Sequence, residues 1–192
     1  MNIKRYGESN YPLKDLCSIT NKLKNKFPVI QGPIGLHPQK AAVLVMLYPK
    51  HSMTHVLMIK RALHLKVHAG EIGFPGGSYE EGDKNLLATA LRETQEEIGV
   101  HVEASKVIAQ LPIVITRLGF EIIPFVAVLS ELKEFELQED EVDEILEIPV
   151  TPLISTQQLN IGSNSRKNSV TYFFEHHKIW GASAKILQKI WH

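Results

Sequence analysis

The chain has a single cysteine, few aromatic residues, no excess of either charge and no apolar run approaching a membrane span. One cysteine, Cys17, excludes an intramolecular disulfide framework and cannot by itself build a multi-thiolate zinc site. Aromatics at 7% leave the core to Val, Ile and Leu. The balance of 21 Lys and Arg against 21 Asp and Glu argues against bulk binding to nucleic acid or a membrane surface. Met1-Asn2-Ile3-Lys4 does not open a signal peptide, and Lys189-Ile190-Trp191-His192 is not a peroxisomal address. The expectation is a cytoplasmic protein with no nucleic-acid and no membrane partner.

What is present suits one globular domain: 192 residues, 44% of them hydrophobic. Leu13, Leu16, Cys17 and Leu23 recur at helical spacing over residues 12–26, with Cys17 read as a small buried hydrophobe. Prolines and glycines then break the chain, so residues 1–35 read as a helix-and-loop extension and 36–192 as the main body. Residues 41–48 form a continuous apolar run suited to a doubly buried strand, followed by a turn over 49–54 and a partner strand at 55–60. Further strands are predicted over 107–115, 120–129, 170–175 and 178–180, the last two around a His176-His177 turn. Pro124 within 120–129 suggests an edge or a bulge. Leu153–Leu159 reads as one or two helical turns, and 181–191 as a closing helix. This order predicts a single α/β domain with a mixed sheet between helices.

Charge is segregated. Residues 1–70 hold eleven Lys and Arg against Glu8 and Asp15, and residues 131–147 hold nine acids against Lys133. A basic segment suits an anionic ligand, and two solvated surfaces of opposite sign explain the pattern equally well.

The chemistry concentrates between His68 and Val100. Asp83, Lys84 and Asn85 offer N-caps for a helix that Gly99 ends. At about 100° per residue, Leu87, Leu91, Thr94 and Ile98 share one face with Ala90 beside them. Glu93 and Glu97 stack on another face, next to Glu96, with Arg92 one turn before Glu96. Alone, three acids on a helix describe a solvated face. Upstream, Gly76-Gly77 lets the backbone approach an ion or phosphate without a Cβ, and a hard cation such as Mg²⁺ or Mn²⁺ takes carboxylate oxygens. The two features together point to a site for metal and diphosphate.

These residues resemble the Nudix hydrolase signature: a glycine, five residues, a glutamate, seven residues, then Arg-Glu-apolar-x-Glu-Glu-x-Gly-apolar. Gly77 opens the match and Arg92-Glu93, Glu96-Glu97, Gly99 and Val100 complete it. Asp83 replaces the first glutamate, eight residues separate it from Arg92, and Thr94 stands at an apolar position. The stretch from Leu57 through Arg61, Lys66, His68-Ala69-Gly70-Glu71 and Phe74-Pro75-Gly76-Gly77 is similar to the extended motif of the coenzyme A diphosphatase branch. Trp180-Gly181-Ala182-Ser183-Ala184 is similar to that branch's C-terminal segment.

The resemblance implies a Nudix-type α/β/α sandwich that hydrolyses coenzyme A, or a derivative, to 3′,5′-ADP and 4′-phosphopantetheine with Mg²⁺ or Mn²⁺. It implies Glu93 and Glu97 as metal ligands, with Glu96 as a further ligand, and a backbone carbonyl at Gly76 or Gly77. Arg92 would orient the glutamates. Arg61, Lys66 and His68 would bind substrate phosphates or shape the branch-specific loop, while His64 is surface charge. Glu96, Glu141 and Glu144 compete as general base. Other diphosphates such as ADP-ribose or NADH, and a non-catalytic nucleotide-binding Nudix module, are the alternatives. A calcium-binding protein is disfavoured, because the acids lie on a helix rather than in a loop of alternating ligands. The oligomeric state stays open, a homodimer included.

Overall fold

In the computed structural model the described residues are 16–29, 40–116, 119–132, 134–160 and 169–191. Of the polar loop that the sequence suggests over residues 160–169, residues 161–168 lie outside them, as does most of the proline- and glycine-broken stretch before β1. Strand β1 (Lys40–Lys50) follows the continuous apolar run and is buried on both faces. Leu44, Met46 and Tyr48 pack toward one layer and Val45 and Leu47 toward the other, as strand alternation requires.

Strand β2 (Met53–Arg61) returns antiparallel, Leu47 to Lys50 pairing with Val56 to Met53. The predicted turn over 49–54 is tighter than expected. Only His51 and Ser52 lie outside the strands, with φ of 48° and 62°, values that match the twist of a two-residue hairpin.

Beyond this hairpin the two strands fork. Strand β3 (Ile72–Gly73) pairs with β2 at Ile59 and Lys60, and β4 (Gly76–Ser78) pairs with β1 at Ala41 to Val43. Leu44 N donates to Pro75 O at 2.9 Å, so the segment 72–78 is wedged into the fork. The candidate site grows from this wedge.

On the outer side of β1, strand β7 (Glu121–Val128) runs parallel to it and carries β5 (Val107–Gln110) and β6 (Val114–Ile115) antiparallel on its other edge. Pro124 therefore sits in an interior strand, not at an edge. Its carbonyl accepts from Leu111 N at 2.8 Å, where pairing passes from β5 to β6, so the missing proline donor falls at that break. Strand β8 (Val142–Pro149) flanks β2. A smaller sheet joins β9 (Gln158–Asn160), β10 (Ser169–Phe174) and β11 (His177–Ile179).

Helix α2 (Leu86–Ile98) covers one face of the mixed sheet; α1 (Leu16–Lys26) and α4 (Gly181–Trp191) cover the other. The architecture is the α/β/α sandwich expected. Ile19 and Leu23 of α1 enter the same core as α4, and Gln110 N donates to Phe27 O at 3.1 Å.

Three local expectations are corrected. Cys17 is exposed, because Ile19 and Leu23 turn the buried face of α1 away from it. Helix α3 spans Val150–Ser155 and residues 158–160 are strand, not helix. The Thr156 hydroxyl donates to Leu153 O at 2.7 Å and accepts from Phe173 N at 2.9 Å, stopping the helix and tying its end to β10. The β10–β11 turn falls at Glu175 (φ 52°) and His176, leaving His177 buried in β11.

The α2 caps follow the sequence. Asn85 Oδ1 accepts from Ala88 N at 2.9 Å, and Gly99 adopts φ 72° while donating to Gln95 O. Asn85→Ala should lower unfolding free energy by about 1 kcal/mol in urea titrations; an unchanged midpoint would deny Asn85 a capping role.

Candidate active site

Helix α2 rests on β1 and β4, and its buried face is wider than its apolar residues. Leu86, Thr89, Ala90, Thr94, Glu97 and Ile98 are buried, whereas Leu87 and Leu91 are only half-buried. The packing face is thus turned to include a glutamate.

The three clustered acids have three different environments. Glu97 is 1% exposed; its Oε2 accepts from Gly76 N at 2.9 Å, and Arg61 Nη1 lies 3.5 Å from its Oε1. Burial pushes its carboxyl up to about 8, against the opposing pull of the Gly76 amide and Arg61. Glu93 is mostly buried, 3.1 Å from Arg92 Nη1, and burial raises its carboxyl as well. Glu96 points into solvent and pairs with Arg92 Nη1 at 2.8 Å.

The wedge glycines make this packing possible. A Cβ on Gly77 would come within 2.5 Å of both Glu93 carboxylate oxygens, so the missing side chain leaves their seat. Gly76 has φ 144°, and a Cβ there would lie 2.6 Å from Val43 Cα.

Arg92 is the hub. Its Nε and Nη2 bind the two Asp83 oxygens at 3.0 Å each, a bidentate fork, while Nη1 faces Glu93 and Glu96. Asp83 also accepts from Thr89 Oγ1 at 2.8 Å and Glu80 N at 3.1 Å, and Arg92 holds its carboxyl below the usual range. Asp83, grouped with the N-cap candidates, is instead the buried partner of Arg92. The loop with one extra residue still delivers a carboxylate to that arginine.

The acidic segment after β7 closes the far end of α2. Glu136 N donates to Ile98 O at 3.0 Å and Gln138 N to Glu97 O at 2.9 Å, while Gly99 has no side chain to collide with Glu136. The segment then reaches Glu141, whose carbonyl accepts from Ala62 N at 2.9 Å and whose charge bears on both Glu93 and Glu97.

Glu144 does not join this group. Lys60 pairs with Glu144 but Arg61 with Val142, so Asp143 is an extra residue that reverses the alternation of β8. Ile145 packs with the α2 layer and Leu146 with the opposite one, which turns Glu144 away from α2. Its Oε2 lies 3.4 Å from His177 Nε2.

Lys66 and His68 are exposed on the β2–β3 loop. His68 (φ 59°) has its Nδ1 3.0 Å from Glu71 Oε2, a local contact. His64 is exposed too. Of the residues expected to meet phosphate, Arg61 alone is joined to the glutamates.

Among the described residues no three His, Cys, Asp or Glu side chains are gathered as a metal cage. Guanidinium and amide donors hold the glutamates instead.

Residues 38–173 match the NUDIX domain family. A protein of Salmonella paratyphi B described as an uncharacterized Nudix hydrolase, NudL, is 33% identical over 159 residues, 81% of this chain and 82% of the relative. The chain belongs to the Nudix hydrolase family. Its α2, with the 76–77 turn beneath, carries the Nudix signature. A MutT/nudix family protein from Enterococcus faecalis superposes with TM-score 0.56 at 18% identity, over 92% of this chain and 68% of the other. The NUDIX domain of Shewanella oneidensis NrtR, solved with ADP ribose, superposes with TM-score 0.50 at 20% identity, covering 68% and 83%. At those identities the likeness is one of fold. Among the described residues no helix is long and apolar enough to cross a membrane.

Proposed function

We propose that this Nudix hydrolase cleaves the diphosphate of coenzyme A or a derivative, releasing 3′,5′-ADP and 4′-phosphopantetheine, with Mg²⁺ or Mn²⁺. The observation that carries the reading is Glu97: a carboxyl packed under the Gly76 amide beside Glu93, with its proton held by burial. Such a group is costly for stability alone, and a cation that displaces the proton gives it a use.

The chemistry of the donors suits a hard divalent ion: Glu93 and Glu97 would offer carboxylate oxygens from one helix, Gly77 leaves room for the Glu93 carboxylate, and Glu96, paired with Arg92 at the surface, would have to turn inward to join them. Bound Mg²⁺ or Mn²⁺ supplies Lewis acidity toward the diphosphate oxygens and toward water. Arg92 holds Glu93 and Glu96 in place, and Arg61 offsets charge beside Glu97. Water attacks one phosphorus, the anhydride P–O bond breaks, and the proton leaves to a carboxylate.

The geometry supports Glu141 for that carboxylate over Glu144. Glu141→Gln should lower kcat about 10²-fold or more and remove the acidic limb of the pH–rate profile. Glu144→Gln should stay near wild type. The reverse ranking would transfer the role to Glu144.

The coenzyme A branch rests on the motif from Arg61 through His68-Ala69-Gly70-Glu71 to Gly77. NrtR's partner, ADP ribose, is itself a nucleoside diphosphate derivative, which supports the broader class. The test is incubation with Mg²⁺ or Mn²⁺ and coenzyme A, acyl-coenzyme A, ADP-ribose and NADH, with products identified by mass. Release of 3′,5′-ADP supports the reading. Turnover of ADP-ribose alone would remove the branch, and no turnover of any diphosphate would remove the activity.

A further inference from the structure

Glu144 is turned away from α2, yet its carboxylate has a partner on the other side of the sheet. Its Oε2 lies 3.4 Å from Nε2 of His177, a side chain only 5% exposed. That nitrogen is sealed from solvent and makes no hydrogen bond among the described residues. The imidazole also packs on the His176 ring, with 3.9 Å between centroids. An aliphatic side chain would fill the same place without a polar atom to satisfy, and a buried ring nitrogen with no partner is costly. Glu144 supplies the charge that this nitrogen faces.

The pair joins two parts of the fold. His177 belongs to β11 of the smaller sheet, which lies against β3. Glu144 belongs to β8 and stands opposite Lys60. The contact therefore fastens the smaller sheet to the bulged start of β8. Lys60 fastens it again, through an ion pair with Asp143, the bulged residue itself. Without the bulge, antiparallel pairing would put Asp143 opposite Arg61, where Val142 now stands. Glu141 would move one residue along and lose the bond its carbonyl accepts from Ala62 N at 2.9 Å.

We infer that His177 is a positioning residue for the general base: by gripping Glu144 from behind the sheet, it holds the β8 bulge in register and keeps Glu141 beside Glu93 and Glu97. The inference rests on the reading of Glu141 as that base. His177 acts through β8 and not on the reacting atoms.

Two measurements on the full chain test this role. Amide hydrogen exchange of the metal-free protein, followed by NMR, reads the bulge directly. His177→Leu should speed exchange at Ala62 about tenfold and leave Leu44, whose N–H is bound to Pro75 O in the fork, unchanged. Unchanged exchange at Ala62, or a rise shared equally by Leu44, would overturn the inference. If His177→Leu does not fold, Glu144→Leu breaks the same contact from its exposed side and is read in the same way. Glutamine at 144 keeps an oxygen facing Nε2, so Glu144→Gln preserves the contact that leucine removes.

Steady-state kinetics with Mg²⁺, on whichever diphosphate of the panel is hydrolysed fastest, read the consequence. His177→Leu should lower kcat about tenfold with little change in KM. His177→Gln, which keeps a nitrogen toward Glu144, should recover most of the loss. In a Glu141→Gln background His177→Leu should cost nothing further, because both changes act on one group. Wild-type kcat in His177→Leu, or a loss that persists in that background, would sink the positioning role. Wild-type kcat in Glu141→Gln alone would instead remove the base reading beneath it, and faster exchange at Ala62 would then still show the grip on the bulge.

Discussion

Glu97→Gln should fold at least as well as the wild type and lose most of its activity. Glutamine retains an oxygen for the Gly76 N–H and fills the same buried space, but it carries no charge for a cation. Removing one such electrostatic group should lower kcat about 10²- to 10³-fold, and Mn²⁺ binding followed by electron paramagnetic resonance should weaken in parallel. Wild-type turnover and Mn²⁺ affinity in the variant would remove Glu97 from the site.

The same substitution should change how stability depends on pH. Without divalent metal, folded Glu97 keeps its proton to about pH 8, against 4.5 for an ordinary glutamate. Between those values the folded state binds more protons than the unfolded one, so stability must fall as pH rises through the window. At about 1.4 kcal/mol per pH unit, the loss amounts to a few kcal/mol for a group this buried. Burial raises Glu93 in the same direction, while His55, lowered by burial, works the other way below the usual histidine range. His55 is common to the two proteins and cancels, so the difference between wild type and Glu97→Gln reports position 97 together with the Glu93 it repels. Urea unfolding in EDTA at pH 5 and pH 8.5 should show the variant gaining on the wild type at the higher value. Parallel pH profiles would deny the buried carboxyl its raised affinity for a proton.

Gly76→Ala should be the most damaging substitution for stability. Its Cβ would fall inside the contact distance of the Ala42 carbonyl oxygen and 2.6 Å from Val43 Cα, and φ of 144° is strained for any side chain. The obstructing atoms are backbone near the start of β1, where β4 pairs with it, so the wedge must leave the fork. A loss of about 4 kcal/mol or more is expected, read as a large drop in urea midpoint or a failure to accumulate folded protein. Gly77→Ala separates the two effects. Its Cβ meets only the end of the Glu93 side chain, which can swing away, so that variant should stay folded and lose activity. A wild-type urea midpoint in Gly76→Ala would show that the wedge is not held as the geometry requires.

Adjacent residues differed in how much of their role the sequence exposed. Asn85 and Gly99 were readable because capping is local chemistry: a side-chain oxygen three residues before a free N–H, and a left-handed terminus. Asp83 was not, since its partner lies nine positions along and only a folded loop brings them together. Pro124 misled because a strand-internal proline is tolerated beside a break in pairing as well as at an edge. Cys17 misled because helical spacing names a face without saying which residues at its margin stay wet.

The apolar strands, the helix of three glutamates and the glycines that precede it were legible in residue order, because each depends on periodicity or on a missing Cβ. The sequence also carried the family resemblance, which is a matter of residue order. Tertiary structure alone decided that the glutamates are unequal, with Glu97 buried, Glu93 seated against Gly77 and Glu96 in water. It alone separated Glu141 from Glu144, through one bulged residue that turns a side chain to the other face of the sheet. Both decisions depend on the fork between β1 and β2 and on the register of β8, and pairing between distant segments leaves no periodicity in either strand.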